Sequence, residues 1–211
     1  MSRGLGDVYK RQLRTLLLSE HFYDIANRGA YIKSPADHMI GLIRNMNVTI
    51  PESLPENYQF MESVYWLMGT MGMEIGDPPS VSGWQPWYQQ PGYDRIWINT
   101  DTITKRAQVQ DFIIFDRGDI IKFVTSLKNP SDPNELIRES VLLLHGIEID
   151  KEVSDGLKDT LLSGQQTDAY WTIAWEQYIN EPGNDEYRLT VESRLKSMFR
   201  SMLQLSEFQL F

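Results

Sequence analysis

Residues 77–105 read DPPSVSGWQPWYQQPGYDRIWINTDTITK and lie between two segments with the hydrophobic periodicity of helices. The stretch holds four prolines, two glycines, three tryptophans and two tyrosines. Its aromatic content is too high for a linker, and its proline and glycine content is too high for a helix. It therefore predicts one long ordered loop whose aromatic rings pack onto the helices around it.

Helix start signals occur on both sides of this loop. Segments 34–37 (SPAD) and 132–135 (DPNE) each combine a capping side chain, a proline at the first helical position and an acid in the first turn. Gly146 is suited to ending the second of these helices. No sustained strand pattern of period two occurs, so the sequence predicts an all-α fold, a multi-helix globular array without a sheet of consequence. The predicted helices cover about 13–22, 35–46, 57–73, 99–115, 118–127, 132–146, 151–162, 168–179 and 185–205.

Hydrophobic spacing predicts which helix faces are buried. In the second helix the predicted core residues are Met39, Ile40, Leu42 and Ile43. In the third, Met61, Val64, Tyr65 and Met68 recur at helical spacing and predict one buried face. Trp171 and Trp175 lie four residues apart, which predicts a packed pair in the core.

Composition excludes several classes of function. The chain of 211 residues carries a formal net charge of −9, and nucleic-acid or anionic membrane surfaces require clustered Lys and Arg instead. There is no cysteine, which excludes disulfides, thiol catalysis and cysteine-ligated metals. No apolar run of 18 or more residues occurs, so no transmembrane segment is predicted.

The first twelve residues, MSRGLGDVYKRQ, lack both hydrophobic periodicity and targeting character. They resemble the translation of the transposase adapter used to prepare sequencing libraries. We therefore expect residues 1–12 to be an adapter-derived artefact that makes no native core contact. Residues 13–211 are then expected to be the C-terminal part of a single helical domain whose N-terminal part, with any export signal, is missing.

Three ordered segments carry a family resemblance. They are residues 27–30 (NRGA) with 32–35 (IKSP), residues 77–84 (DPPSVSGW) with 97–100 (WINT), and residues 205–210 (LSEFQL). The chain resembles, over essentially all of 13–211, the bacterial family known as domain of unknown function 1800 (DUF1800). The resemblance implies a mostly helical protein that is exported to the periplasm or cell surface. It also implies a protein partner, an exported protein encoded by an adjacent gene, and brings no established activity.

Positively charged residues near these segments are the first candidates for a site. Arg28, Lys33 and Arg95 stand out in an otherwise acidic chain. One interpretation is that they form ion pairs with nearby aspartates such as Asp77 and fix the loops. The other is that they bind a small anion or carboxylate through paired N–H donors.

The aromatic residues of the loop leave a similar choice. Trp84 and Trp97 match the family segments and are predicted to be core residues. Trp87, Tyr88 and Tyr93 fall in a longer spacer, where exposed rings would suit a binding surface for a glycan. Asn99 or Thr100 is predicted to cap the following helix. The candidate binding residues are Arg28, Lys33, Asp77, Trp84, Arg95, Trp97 and Asn99.

Catalytic and metal-binding motifs are absent from the sequence. The histidines are His21, His38 and His145, and no two have the spacing of metal ligands. Neither a nucleophile elbow nor a phosphate-binding glycine motif occurs, and we expect no metal or cofactor. Two hypotheses stay open: a binding or scaffold module that acts with a partner at the cell envelope, and an envelope-associated hydrolytic enzyme whose site is shared with the missing N-terminal region. A pocket lined by Arg28, Asp77 and Arg95 with shifted pKa values would favour the enzyme.

Overall fold

The computed structural model describes residues 5–84 and 96–211, and this part of the chain is built from helices. Short 3₁₀ turns follow α1 and α9, and the single β feature of these residues is an isolated antiparallel bridge between Ile32 and Leu210. The prediction of an all-α fold is confirmed. The helices are α1 (Leu5–Leu17), α2 (Pro35–Asn45), α3 (Leu54–Thr70), α4 (Thr100–Asp111), α5 (Ile120–Thr125), α6 (Pro133–His145), α7 (Lys151–Leu161), α8 (Ala169–Asn180) and α9 (Asp185–Leu203).

The helix caps form where the sequence predicts them. The Ser34 hydroxyl accepts a hydrogen bond from the Asp37 backbone N–H, and the Asp37 carboxylate accepts one from the Ser34 N–H, each at 3.2 Å. Asp132 accepts a hydrogen bond from the Asn134 N–H at 2.9 Å at the start of α6. Gly146 ends α6 with φ of +72°, a left-handed conformation that glycine adopts without a steric cost.

Helix α9 is the centre of the core. It packs against α4, α5, α7 and α8, and one face of it is completely buried. Burying this many large apolar side chains in one helix provides the main hydrophobic driving force of the fold. The buried residues of α9 are Val191, Leu195, Met198, Phe199, Met202 and Leu203.

Helix α8 joins this core through two aromatic rings. Trp171 and Trp175 are buried and stacked with ring centroids 5.6 Å apart, which confirms the predicted pair. The Trp171 indole N–H donates to the Pro130 backbone oxygen at 2.8 Å, so its polar atom is satisfied inside the core. This bond ties α8 to the loop that precedes α6.

Two predicted core positions are wrong. Ile40 in α2 and Met61 in α3 are exposed. In α3 the predicted Val64 and Met68 are buried and Tyr65 is half-buried, but the stripe continues to Phe60 and not to Met61. Phe60 and Met61 are adjacent large apolar residues, and periodicity alone does not decide which of the two is buried.

Helix α4 does not run as a regular α-helix to Phe115. It continues as a π-helix over Phe112–Arg117 and then turns at Gly118. A Cβ atom at Gly118 would lie 2.9 Å from the Ile113 backbone oxygen and 3.3 Å from Met46 Cβ. Glycine therefore permits the close approach between this turn and the end of α2.

Helix α1 presents apolar side chains to the surface. Leu13, Leu16, Leu17 and Leu18 are exposed, and the helix predicted over 13–22 ends at Leu17, where a 3₁₀ turn follows. The middle of the aromatic loop, with Trp87, Tyr88, Tyr93 and Arg95, lies outside the described residues. Among the residues that are described, no helix is long and apolar enough to cross a membrane.

Candidate functional site

A buried arginine lies where three distant parts of the chain meet. Arg106 in α4 is completely buried. Its guanidinium donates to the Lys33 backbone oxygen at 2.6 Å and to the Gln209 side-chain oxygen at 3.2 Å. Because an unpaired buried charge is costly, these bonds hold the segment before α2 and the C-terminal tail against α4.

The C-terminal tail pairs with the segment that precedes α2. The Lys33 N–H donates to the Gln209 backbone oxygen at 2.8 Å, and the Phe211 N–H donates to the Tyr31 oxygen at 2.9 Å. These bonds flank the bridge between Ile32 and Leu210. The tail is thereby fixed by backbone bonds as well as by Arg106.

The Lys33 side chain points into the same region. Its ammonium group donates to the Phe208 backbone oxygen at 2.8 Å and, at the longer distance of 3.5 Å, to the Leu144 oxygen. It also lies 4.1 Å from the centre of the Phe208 ring, a cation–π contact. Lys33 was one of the predicted binding residues, and the structure shows it to be buried.

Two buried histidines pack against the same phenylalanine ring. The ring centroid of His38 lies 5.3 Å from that of Phe208, and the centroid of His145 lies 5.6 Å from it. Among the described residues, no atom has hydrogen-bond geometry with either ring nitrogen of His38 or of His145. One backbone group nonetheless interacts with each ring, that of Arg106 with His38 and that of Met202 with His145. Since buried polar atoms are nearly always paired in proteins, the ring nitrogen of each imidazole that is left without a partner is unusual.

Burial and positive charge keep both histidines neutral. Burial, together with the charges of Arg106 and Lys33, lowers the pKa of His38 to about 3, although the nearby Arg106 backbone opposes the change. Burial and Lys33 lower the pKa of His145 to about 4, against the opposing charge of Glu207 and an interaction with the Met202 backbone. A neutral imidazole carries one N–H donor and one acceptor nitrogen. At neutral pH the two rings therefore present donors and acceptors without charge.

The pKa values of the two buried cations, Lys33 and Arg106, are both lowered. Burial lowers the pKa of Lys33 to about 8, an effect that Arg106 increases and Asp37 opposes. Burial lowers the pKa of Arg106 to about 10, again against Asp37. Both side chains are thus predominantly charged at neutral pH, and Lys33 is the group whose charge a modest pH increase removes.

These residues surround a pocket of about 290 Å³ between α2, the end of α6 and the tail. Most of its wall is apolar, and its polar groups include the buried side chains of Lys33, His38 and His145. A concave, mostly apolar pocket with a few convergent polar groups is the usual form of a small-molecule site. The remaining lining residues are Asp37, Gly41, Leu42, Asn45, Leu143, Leu144, Gly146, Phe208, Leu210 and Phe211.

The other predicted site residues that the structure describes do not line this pocket. Arg28 and Asp77 are exposed, and Trp84 is half-buried. No ion pair within residues 5–84 and 96–211 involves Arg28, so the predicted pairing with an aspartate does not form there. Arg95 lies outside the described residues. Of the two predicted cations that are described, Lys33 lines the pocket and Arg28 does not.

Trp97 and Asn99 have structural roles at the start of α4. Trp97 is buried, and its backbone oxygen accepts a hydrogen bond from the Thr102 hydroxyl at 3.1 Å. The Asn99 side chain accepts hydrogen bonds from the Asp101 and Thr102 N–H groups, both at 3.0 Å. Asn99 is therefore the predicted cap. Because it fixes where α4 begins, it also fixes the position of Arg106 two turns later.

Comparison with known proteins gives one match. The model of a family described as protein of unknown function (DUF1800) matches residues 6–210. The chain belongs to the DUF1800 family. No curated protein and no solved structure matches it. Each of the three DUF1800-like segments of the sequence contributes to the hydrogen bonds around Arg106. The first carries Lys33, the second starts the helix of Arg106, and the third carries Gln209.

Sequence reasoning missed Arg106, His38 and His145, although each leaves a signal in the sequence. Arg106 falls in the same helical stripe as Thr102, Val109 and Ile113, where a charged residue interrupts a buried face. The two histidines likewise fall on the buried faces of α2 and α6. A charged or polar residue in an apolar stripe indicates a buried polar contact.

Within the described part of the chain, no three His, Asp or Glu side chains come together in an arrangement that could hold a metal ion. The pocket residues present hydrogen-bond donors, acceptors and an ammonium group.

Proposed function

We propose that this chain is a binding module whose pocket between α2, α6 and the tail takes up a small amphipathic ligand. The observation that supports it best is the pair of buried imidazoles at the wall of an open pocket, each with a ring nitrogen that has no partner among the described residues. A buried polar atom without a partner costs about 1–3 kcal/mol, and a ligand that pairs with it recovers this cost. The setting we propose is the one implied by the family resemblance: an exported protein that acts at the cell envelope with a partner from an adjacent gene.

Binding has more support than hydrolysis. The nearest hydroxyl to the pocket along the chain, that of Ser34, donates to the Asp37 carboxylate at 2.8 Å and caps α2. The described residues that line the pocket include two imidazoles and an amine but no serine or threonine. A nucleophile activated by an adjacent base, the usual arrangement in hydrolases that form a covalent intermediate, is therefore not part of this lining.

Filling the pocket tests the proposal. Gly41 lines it from α2, and a Cβ atom there would meet nothing within 4 Å. Gly41→Leu should fill the pocket and leave the helix intact, since leucine also has the higher helix propensity. Gly156→Leu in α7 is a matched control, because Gly156 is likewise helical, has the same open space and does not line the pocket.

The measurement is ligand-observed NMR with a panel of small amphipathic acids, amines, alcohols and amides. We expect compounds that bind the parent protein to bind Gly156→Leu equally and to lose binding to Gly41→Leu. Compounds that bind all three proteins alike would show that the pocket is not the site. A panel without any binder would also overturn the proposal.

A further inference from the structure

The shape and lining of the pocket limit the ligand to one that is apolar along most of its length. Leu42, Leu144, Leu210 and the rings of Phe208 and Phe211 form much of the wall. The volume of about 290 Å³ is close to the lower end of known ligand pockets. At about 30 Å³ for a water-sized group, it accommodates on the order of ten non-hydrogen atoms. A chain of about six carbons with a polar head group has this size.

The polar end of the pocket offers several donors to that head group. The Lys33 ammonium has three N–H donors, of which one is used at 2.8 Å by Phe208 and a second, at 3.5 Å, only weakly by Leu144. Each neutral imidazole carries one N–H donor and one acceptor nitrogen. A head group that only accepts hydrogen bonds can pair with the Lys33 ammonium, whereas an ammonium head group would be repelled by it.

The charges around the polar end favour an anion. Lys33 and Arg106, from the segment before α2 and from α4, both lower the pKa of His38, which shows that the field at this imidazole is positive. Asp37 on α2, which also lines the pocket, raises the pKa of Lys33, and one of its oxygens accepts from the Ser34 hydroxyl and N–H. Glu207 in the tail acts on His145. Two buried cations thus face two partly solvated carboxylates, and water screens the buried charges less.

We infer that the pocket binds a small monocarboxylate with an apolar tail, with the carboxylate at Lys33 and the two imidazoles and the tail along Leu42, Leu144 and Phe208. This inference rests on the proposed binding function and specifies its ligand class. A carboxylate at the polar end is acceptor-only and pairs with the ammonium through a charge-assisted bond. The apolar tail displaces water from the leucine and phenylalanine wall.

Three probes that share a six-carbon chain and differ in their polar head group test which head group the pocket prefers. Isothermal titration calorimetry at pH 7 would compare hexanoate, 1-hexanol and hexylamine on the same protein. We expect hexanoate to bind at least about tenfold more tightly than either of the others, because a charge-assisted hydrogen bond contributes about 1.5–3 kcal/mol. If hexanol binds as tightly as hexanoate, or hexylamine binds more tightly, the inference of a carboxylate ligand is overturned and the proposed binding function still stands. The same conclusion follows if other compounds of the NMR panel bind and hexanoate does not.

The pH dependence tests the role of Lys33 without a substitution. Arg106, Asp37, the two histidines and Glu207 are the other titratable groups around it, and among them the histidines are already neutral at pH 7. Raising the pH from 7 to 9.5 removes the ammonium charge. Hexanoate affinity should then fall about tenfold or more while that of hexanol stays constant. A flat profile for hexanoate would exclude Lys33 as the carboxylate partner.

Lys33→Met gives the same test by substitution. The variant keeps an unbranched side chain and loses the ammonium group, so hexanoate should lose about tenfold in affinity at pH 7 and hexanol should not. Circular dichroism establishes whether the variant is folded, and the pH profile of the parent protein decides the question where it is not. Gly41→Leu should abolish binding of hexanoate, which would place the carboxylate in this pocket.

Discussion

The Arg106 guanidinium donates a hydrogen bond to the Lys33 backbone oxygen at 2.6 Å, and its charge also lowers the pKa of the Lys33 side chain. One residue thus positions the segment that carries the lysine and adds to the effect of burial on the protonation equilibrium of that lysine. The same guanidinium holds Gln209 in the tail. Any change at Arg106 should therefore affect both the stability of the protein and the chemistry of the pocket.

Arg106→Met is the direct test of this role. It leaves the Lys33 oxygen and the Gln209 side chain without their donor inside the core, an effect partly offset by removal of a buried charge. We expect a loss of about 2–4 kcal/mol in the free energy of unfolding, measured by urea denaturation. Arg44→Met, at an exposed position of α2, serves as the control and should change it by less than about 0.5 kcal/mol. Equal effects of the two substitutions would contradict the structural role of Arg106.

The buried histidines predict acid sensitivity. Their pKa values in the folded protein are about 3 for His38 and about 4 for His145, below the ordinary value of about 6.5 in an unfolded chain. At a pH between the folded and the unfolded pKa of a histidine, the unfolded state binds more protons than the folded state. The contribution to stability is therefore complete above about pH 6.5 and is lost as the pH falls toward 4 and 3, by up to about 1.4 kcal/mol per pH unit for each histidine.

Denaturation at a series of pH values measures this slope. His38→Phe removes one titrating group and keeps an aromatic ring against Phe208, so it should make the profile shallower between pH 6 and 4. His21→Gln, at an exposed position, controls for the loss of a histidine as such. A His38→Phe profile parallel to that of the parent protein would contradict the burial of a neutral imidazole at this position.

The tryptophans at the ends of the aromatic loop should differ in their contribution to stability. Trp97 is buried, and truncation to alanine should cost about 3–5 kcal/mol. Trp84 is half-buried, and Trp84→Ala should cost less than Trp97→Ala. For Trp87, outside the described residues, we expect a loss of less than about 1 kcal/mol. Chemical denaturation of the three variants checks this order; small and equal losses would mean that the rings are presented to a ligand.

Removal of residues 1–12 should leave the fold unchanged. The part of α1 whose side chains are described is exposed along its whole length, so its loss removes no core contact. The thermal midpoint of the shortened chain should agree with that of the parent within experimental error. A decrease of several degrees would show that the segment contributes to the fold, against the expectation that it is an adapter-derived artefact.

Local signals in the sequence predicted the helices well, because caps and helix ends depend on neighbouring residues. Ser34, Asn99, Asp132 and Gly146 all act as the sequence indicated. Faces were predicted less well, as Met61 shows, because a helix with large apolar residues on adjacent faces can bury either one. The tertiary environment decides between them, and periodicity does not contain it.

The site could be predicted only in part, since its residues come from distant positions. Lys33 was found because it is a cation within a family segment, yet its partners Phe208 and Arg106 carry no spacing relative to it. Arg28 and Asp77 are also charged residues within family segments, and the structure shows both to be exposed. Proximity to a motif in sequence thus identified one pocket residue. The convergence of three segments on Arg106 required the structure.

The bond between Lys33 and the Phe208 oxygen joins residues 175 positions apart in the chain. Closing a loop of this length costs on the order of 4–5 kcal/mol of chain entropy, which local helix formation does not offset. Contacts of such high sequence separation form late in folding. A partly folded chain with α3 to α9 in place would therefore have a core but no pocket. Ligand binding would then report that folding is complete, and a ligand would slow the release of the tail.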